Sequence, residues 1–276
     1  MRNLYVFIIF LMFIIRKDNV ILGAVSALSF WSKNLFPILF PTFILVDLIL
    51  STTLPKYVSK VFGRFFKVLF KSSPISAFVF FLSLLCGTPT NAKLLKSMCD
   101  EGSIKSQDIN KILSFCFFFN PFLIISFAGI KVLLIIWISN ILVGIISRNN
   151  YKTENNDGIL TQIPFSLSRS VGINLDIILN ILGSVTVFMC VSYVIPFISP
   201  TINVISSSFL ELSTAMYKNK LYFNSDYLYI FMFSIGGISI FSQIKSIMKD
   251  TSIDYKYLIK TRLLSLIIGL FICFIT

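Results

Sequence analysis

The feature that most constrains this sequence is the length of its uncharged apolar runs. Residues 177–210 carry no charged side chain, and residues 112–146 carry only Lys131. A helix crosses the hydrocarbon core of a bilayer with about 20 apolar residues, so each run exceeds one crossing. A soluble domain of 276 residues could not bury a composition that is 56% hydrophobic. The sequence therefore predicts an all-α polytopic membrane protein surrounded by membrane lipids.

The charged residues fit this class. The formal net charge is +12, but Lys and Arg stand in the connections between apolar runs, as the positive-inside rule and anionic headgroups require. This distribution argues against nucleic acid as a partner. Within 55–71, cations recur every three or four residues among aromatic and aliphatic side chains, which predicts an amphipathic helix in the membrane interface.

The chain lacks the side chains that enzymes and metal sites most often use. It has no histidine, and its five cysteines are widely spaced without a CxxC pair. No Ser or Cys has a plausible partner base. We therefore expect no enzyme, no metal site and no cofactor. The cysteines are expected to be small buried apolar groups.

Polar connections divide the sequence into parts. Residues 1–18 are predicted to form a first membrane segment, because charges rather than a cleavage site follow its apolar stretch. Residues 19–147 form an N-terminal half, 148–170 a polar connecting loop, and 171–276 a C-terminal half. A homo-oligomer is compatible with this organisation.

A polar interruption marks the N-terminal half. The apolar stretch from Pro74 to Cys86 is too short to cross upright. The residues that follow it are helix-breaking or polar: Gly87, Thr88, Pro89, Thr90 and Asn91. We predict a re-entrant helical hairpin over 74–104, because non-helical backbone at membrane depth persists only where protein buries it or a polar cavity adjoins it. The tip of this hairpin is a candidate solute site.

The C-terminal half repeats part of this pattern. Residues 87–111 align without a gap on residues 236–260. The alignment predicts a second re-entrant hairpin over 226–249, whose break contains Gly236, Gly237, Ser239 and Gln243.

The number of crossings between the two hairpins predicts their orientation. Spans are expected at 112–128, 132–147 and 176–195, and an odd number of crossings puts the second hairpin on the other side. This is an inverted-topology repeat, in which broken elements meet near the bilayer midplane. It predicts Lys60 and Lys96 on one side of the membrane and Lys249 on the other.

Several stretches resemble one family of membrane proteins. They are "FWSKNLFPILFPTFIL", "CGTPTNAKLLKSMCDEGSI", "FCFFFNPFLIISFAGI" and "FSIGGISIFSQIKSI". They are similar to YlbJ-type sporulation integral membrane proteins, relatives of the nucleoside-recognition gate domains of concentrative nucleoside transporters. The family's Gly-x-Pro-x-Gly-Ala-Lys pattern falls on residues 87–93, with Asn91 in place of the second Gly, and its Asn-Pro element falls on Asn120 and Pro121.

The resemblance implies a transporter for a small organic anion, dipicolinate-like or another carboxylate, in a bacterial plasma or forespore membrane. The residues also favour an anion. A helix beginning near Ala92 would offer its positive N-terminal end and the ammonium group of Lys93. Neither polar interruption contains an acidic residue, which a cation site would be expected to contain. Two alternatives stay open: a nucleoside carrier, and a structural or assembly membrane protein of sporulation that transports nothing.

The candidate solute-binding residues come from the two breaks and the Asn-Pro element. They are Gly87, Thr88, Pro89, Thr90, Asn91, Lys93, Asn120, Gly236, Gly237, Ser239 and Gln243. The three carboxamides among them need partners, because an amide in hydrocarbon is costly. Glu211 is the only carboxylate between Asp176 and Asp226. It is either a proton-coupling acid or a water-facing residue of an interfacial helix.

Overall fold

The computed structural model describes residues 2–150 and 164–276, and it contains helices and no strand in those ranges. Most of the polar connecting loop predicted at 148–170 lies outside the described residues. The first half contains α1 (Arg2–Ile15), α2 (Lys17–Phe30), a π-helical turn (Trp31–Leu35), α3 (Phe36–Leu50), α4 (Leu54–Leu69), α5 (Ser76–Cys86), α6 (Thr90–Asp100), α7 (Ser106–Phe115) and α8 (Pro121–Ile146). The second half contains α9 (Leu167–Val194), α10 (Pro200–Leu210), α11 (Leu212–Tyr222), α12 (Asp226–Ile235), α13 (Gly237–Ile247) and α14 (Tyr255–Ile275).

Five segments in the described ranges are long and apolar enough to cross a membrane. They are Lys17–Leu50, Pro121–Ile146, Leu167–Val194, Asp226–Ile247 and Tyr255–Ile275. The protein is therefore an all-α polytopic membrane protein. α1, within the first segment predicted at 1–18, has 14 residues and is about 21 Å long, which is shorter than the hydrocarbon core.

α8 is two helices joined at a kink. Gly129 has φ 79° and ψ 177°, outside the helical region, so 121–128 and 130–146 run in different directions. Asn140 donates to the carbonyl of Phe117 at 3.0 Å, and Gly144 lies against Phe115. These contacts show that α7, the extended segment 116–120 and the first part of α8 run antiparallel to the second part. We call residues 116–120 the α7–α8 break.

Hydrogen bonds bring several connections together at one end of the helix bundle. Lys71 Nζ donates to Oδ1 of Asn149 at 2.8 Å, and the Oγ atoms of Ser106 and Ser252 are 2.7 Å apart. We call this the basic end. It contains the starts of α5, α7 and α14 and the end of α8.

The long helix α9 connects the basic end to the other end of the bundle. At its start, Arg169 lines a cavity together with Glu101, in the connection between α6 and α7. At its finish, Arg16 and Asn19 donate to the carbonyls of Val194 and Tyr193 at 3.3 and 3.2 Å. We call this second location the opposite end.

The position of Lys249 differs from the sequence prediction. Lys249 lies three residues before Ser252, at the basic end, and Lys96 lies there too, in the cavity that Arg169 lines. The prediction that Lys96 and Lys249 lie on different sides is wrong. The reason is that Asp226–Ile247 is long enough for a complete crossing, which adds a fourth crossing between the two lysines.

Two pairs of short helices pack side by side as helical hairpins. α5 and α6, joined through 87–89, form the first hairpin, and α10 and α11, joined by Glu211 alone, form the second. α12 and α13, where the sequence predicted the second hairpin at 226–249, lack comparable packing against each other. Glu211 reverses the chain in an extended conformation, with φ −147° and ψ 122°. We call Gly236–Gly237 the α12–α13 break.

Candidate functional site

The tip of the first hairpin lies directly against the α7–α8 break. Gly87 ends α5 with φ 73°, and a Cβ atom at Gly87 would lie 2.3 Å from the backbone nitrogen of Asn120. The next residue, Thr88, donates its N–H to the carbonyl of Phe118 at 2.6 Å. Asn91 Nδ2 donates to the carbonyl of Cys116, also at 2.6 Å. The hairpin therefore satisfies the Phe118 carbonyl, which the interrupted helix leaves free. It also adds a second donor to the Cys116 carbonyl, which accepts from the N–H of Phe118 at 2.9 Å.

The other side of the α7–α8 break is held by α8 and α14. Asn140 satisfies the carbonyl of Phe117, and Arg262 Nη2 donates to the carbonyl of Ser114 at 2.5 Å. Arg262 also donates to Oδ1 of Asn140 at 2.7 Å, and its guanidinium lies 4.5 Å from the centre of the Phe117 ring. These buried donors replace the backbone N–H groups of a continuous helix, so the break is a fixed part of the fold.

The α12–α13 break lies between the second hairpin and Phe117. A Cβ atom at Gly237 would be 3.0 Å from the carbonyl oxygen of Ser208 in α10, and one at Gly236 would be 3.2 Å from the Phe117 ring. Each hairpin tip thus contacts the break in the helix that follows it, and the two breaks contact each other through Phe117.

Glu211 forms the tip of the second hairpin. It is 3% exposed, and its carboxylate accepts hydrogen bonds from the backbone N–H of Thr214 at 2.9 Å and from the hydroxyl of Ser213. The carboxylate therefore caps the N-terminus of α11, where negative charge is favoured. The sequence left its role open between a proton-coupling acid and a water-facing residue; the structure buries the side chain, and the proton-coupling role stays a prediction.

These elements enclose a small cavity, which we call the central cavity. Its polar lining residues are Asn34, Thr88, Asn120, Glu211, Ser213 and Gln243, and its apolar ones include Phe119, Leu212, Met216 and Ile240. Its volume is about 50 Å³, room for about two water molecules. Within the described residues, Glu211 is the charged group in this lining, and no Lys or Arg accompanies it.

The predicted site residues divide into two groups around this cavity. Thr88, Pro89, Asn120, Gln243 and Glu211 line it directly. The others lie outside the lining, next to the residues that form it: Gly87, Thr90, Asn91, Gly236, Gly237 and Ser239. Ser239 Oγ accepts a hydrogen bond from Gln243 Nε2 at 3.3 Å. The sequence analysis did not identify two lining residues, Asn34 in the π-helical turn and Ser213. The only sequence signal for Ser213 was that it is a polar residue two positions after Glu211.

Lys93 does not reach the central cavity. Its ammonium pairs with Asp47 at 2.5 Å and donates to the carbonyl of Phe43 at 2.7 Å. Asp47 also accepts from Ser170 and Asn174 in α9. In the structure Lys93 forms a buried ion pair between α6 and α3, and its predicted contact with an anion stays a prediction. Asp47 is 46 residues away in sequence, so no local pattern could reveal this partner.

Each hairpin separates the central cavity from a larger polar cavity at its own end. The basic-end cavity, of about 350 Å³, adjoins α6 and is lined by Asp47, Lys93, Lys96, Asp100, Glu101 and Arg169 among others. The opposite-end cavity, of about 580 Å³, adjoins α11 and is lined by Arg16, Asp18, Asn19, Ser192, Asn203, Lys218 and Tyr222 among others.

One curated protein is similar to part of this chain. It is the sporulation integral membrane protein YlbJ of Bacillus subtilis (strain 168), which is 28% identical over 99 residues. The match covers 36% of this chain and 24% of the length of that protein. No family model matches the chain, and no solved structure matches it. The similarity is to an integral membrane protein, in agreement with the five segments that are long and apolar enough to cross a membrane.

Proposed function

We propose that the protein is a membrane carrier that binds a small polar solute in the central cavity and takes part in sporulation. One observation carries the proposal: two hairpin tips and two broken helices meet around one small cavity whose mainly apolar lining includes amides, hydroxyls and a carboxylate, and a larger cavity lined by charged residues lies beyond each hairpin. Broken helices at membrane depth are the usual setting of substrate sites in carriers. The role in sporulation rests on the partial similarity to a sporulation protein.

The proposed mechanism is alternating access. In this mechanism the first hairpin enters the membrane from the basic end and the second, α10–α11, enters from the opposite end. Movement of one tip away from its break would connect the central cavity to one end while the other tip keeps it closed. At about 50 Å³ the cavity is too small for a nucleoside or dicarboxylate, so binding requires this opening.

The basic end is proposed to face the cytoplasm of the plasma or forespore membrane. Its connections and adjoining helices carry Lys56, Lys60, Arg64, Lys67, Lys71, Lys96, Lys105, Lys111, Arg148, Arg169, Lys249, Lys256 and Lys260. The opposite end carries Arg16, Lys17, Lys131, Lys218 and Lys220. An excess of Lys and Arg marks the cytoplasmic side of a membrane protein.

Labelling of single cysteines tests this topology. In a variant without the native cysteines, Lys60→Cys, Lys96→Cys and Lys249→Cys should be protected from a membrane-impermeant maleimide in right-side-out vesicles, whereas Lys220→Cys should react. All four should react after the membrane is permeabilised. Reaction of Lys249→Cys together with Lys220→Cys in intact vesicles would contradict the complete crossing at 226–247.

A neutral solute that combines an apolar body with hydrogen-bonding groups fits the central cavity best, because most of the lining residues are apolar. The lining offers amide and hydroxyl groups and one carboxylate, without a cation. A nucleoside, the alternative that the sequence left open, therefore leads the substrate classes. The organic anion stays the second candidate, because Thr88 and Pro89 line the cavity just before α6 begins, and a helix N-terminus favours negative charge.

Uptake into proteoliposomes tests the carrier proposal. Radiolabelled nucleosides and dicarboxylates, including a pyridine dicarboxylate, should be offered to reconstituted protein and to empty liposomes. We expect saturable uptake of nucleosides that exceeds uptake of dicarboxylates. A reversed preference would favour the anion, and no uptake of any solute would favour a structural or assembly protein.

Two amide substitutions should separate solute contact from structural support. Gln243→Leu should lower uptake at least tenfold with normal membrane abundance, because Gln243 lines the cavity and bonds only to Ser239 among the described residues. Asn91→Leu should lower abundance as well, because it removes a buried donor from the Cys116 carbonyl. Uptake and immunoblot of the same vesicles check both, and equal loss of abundance in the two variants would make Gln243 structural.

A further inference from the structure

Lys218 is a half-buried lysine of the second hairpin whose contacts supply no counter-charge. Its Nζ donates to Oγ of Ser207 at 2.8 Å, and that oxygen lies 2.9 Å from Oγ of Ser192 in α9. Neither of the ion pairs found among the described residues includes Lys218. An ammonium group withdrawn from water is costly without an anion nearby, and two hydroxyl groups provide only dipoles.

The surroundings of Lys218 carry an excess of positive charge. Lys218 lines the opposite-end cavity together with Arg16. Arg16 donates one guanidinium N–H to the carbonyl of Val194 at 3.3 Å. Like Lys218, it is in neither of the ion pairs found among the described residues. The lining has one carboxylate, Asp18, which lies in the first turn of α2, where the helix N-terminus stabilises its charge. Two cations therefore face one already stabilised acid.

The remaining lining can orient a ligand. Asn203 in α10 contributes a polar side chain near the N-terminus of that helix, and Tyr193 and Tyr222 contribute aromatic rings with hydroxyl groups. The cavity of about 580 Å³ has room for a small organic molecule.

We propose that the opposite-end cavity binds a small anion whose carboxylate or phosphate oxygens pair with Lys218 and Arg16. The site is distinct from the central cavity, because α11 stands between them: Ser213 and Met216 face the central cavity, and Lys218 and Tyr222 face this one. It therefore goes beyond the proposed function and does not depend on which solute the central cavity takes.

Binding of succinate and inorganic phosphate by the full chain in phosphatidylcholine nanodiscs tests the proposal. Isothermal titration should show binding of at least one of the two anions. Lys218→Gln should weaken it at least tenfold and Arg16→Gln several-fold, because each removes one of the two cations. Lys220→Gln is the matched control: Lys220 is exposed two residues along the same helix, over the Phe127 ring, and the variant should bind within twofold of wild type.

Nanodiscs containing phosphatidylglycerol distinguish a free anion from a lipid headgroup. If soluble anions do not bind, phosphatidylglycerol should raise the unfolding temperature of the wild type but not of Lys218→Gln, which would identify the headgroup as the anion. The unfolding temperature in phosphatidylcholine alone shows that Lys218→Gln is folded, and Lys218→Arg should retain binding. Anion binding that survives in Lys218→Gln, or no response to either anion source, would overturn the proposal.

The outcome is separable from that of the carrier proposal. Gln243→Leu should lower nucleoside uptake at least tenfold and leave anion binding at Lys218 unchanged. Failure of anion binding with nucleoside uptake intact would refute only the opposite-end site, and failure of uptake with Lys218-dependent anion binding would refute only the carrier proposal.

Discussion

Replacing Gly87 with alanine should detach the first hairpin tip from the α7–α8 break and abolish solute uptake. Gly87 has φ 73° and ψ −174°, a region essentially restricted to glycine, and other residues placed there lose about 1–3 kcal/mol. The added Cβ would also lie 2.3 Å from the nitrogen of Asn120 and 2.5 Å from the carbonyl carbon of Phe119. Backbone atoms cannot rotate away, so the tip itself must move.

Gly129→Ala is the matched control for this substitution. Gly129 has nearly the same backbone conformation, with φ 79° and ψ 177°, but no atom lies within 4 Å of the position its Cβ would occupy. It should lose stability through backbone strain alone, about 1–3 kcal/mol, and keep most of its uptake. Thermal unfolding and uptake at matched abundance check both variants. Equal uptake by the two variants would mean that the contact between Gly87 and Asn120 is not needed for solute uptake.

Removing one partner of the Lys93–Asp47 ion pair should be strongly destabilising. Lys93→Met leaves the Asp47 carboxylate with Ser170 and Asn174 but without a cation. Breaking a buried pair in this way costs 3–5 kcal/mol. Because the Asp47 side chain is 23% exposed, we expect about 3 kcal/mol, the lower end of that range. The measurement is the free energy of unfolding in a denaturing detergent.

The double variant Asp47→Asn/Lys93→Met separates the cost of the unpaired Asp47 charge from the cost of losing the contacts of Lys93. Removing both charges should restore most of the stability, because no uncompensated charge is left in the protein. Lys96→Met is a control on the same helix, since Lys96 pairs with the exposed Asp100 and such pairs contribute about 1 kcal/mol or less. A double variant as unstable as Lys93→Met would contradict the explanation by charge.

Local sequence patterns predicted the membrane class and the positions of the chain interruptions. The uncharged runs predicted the membrane class, although they assigned 226–249 to a hairpin rather than to a segment long enough to cross. The Gly-Thr-Pro-Thr-Asn stretch predicted the end of α5 and the start of α6. These features are local, because hydropathy and glycine or proline act on a few neighbouring residues. The polar tip of the first hairpin could be assigned to the candidate site for the same reason.

Features that depend on distant partners could not be predicted in this way. The Gly236–Gly237 pair resembles a hairpin tip in sequence, whereas the tightly packed hairpin of the second half turns at Glu211, a single extended residue without Gly or Pro beside it. The wrong prediction for the side of Lys249 followed from placing the second hairpin at 226–249. The exclusion of Lys93 from the central cavity depends on Asp47, and the buried position of Arg262 depends on Asn140 and Ser114.

The equal lengths of the hairpin arms connect this fold to the thickness of its bilayer. α5, α6, α10 and α11 each contain 11 residues, about 16 Å of helix, which is half of a hydrocarbon core about 30 Å thick. In the proposed mechanism the two hairpins enter from opposite faces, and they then meet tip to tip only when the acyl chains set that spacing. Thicker membranes would draw the tips apart, and thinner ones would press them together. Lipid chain length thus becomes a physical control on how tightly the central cavity is closed.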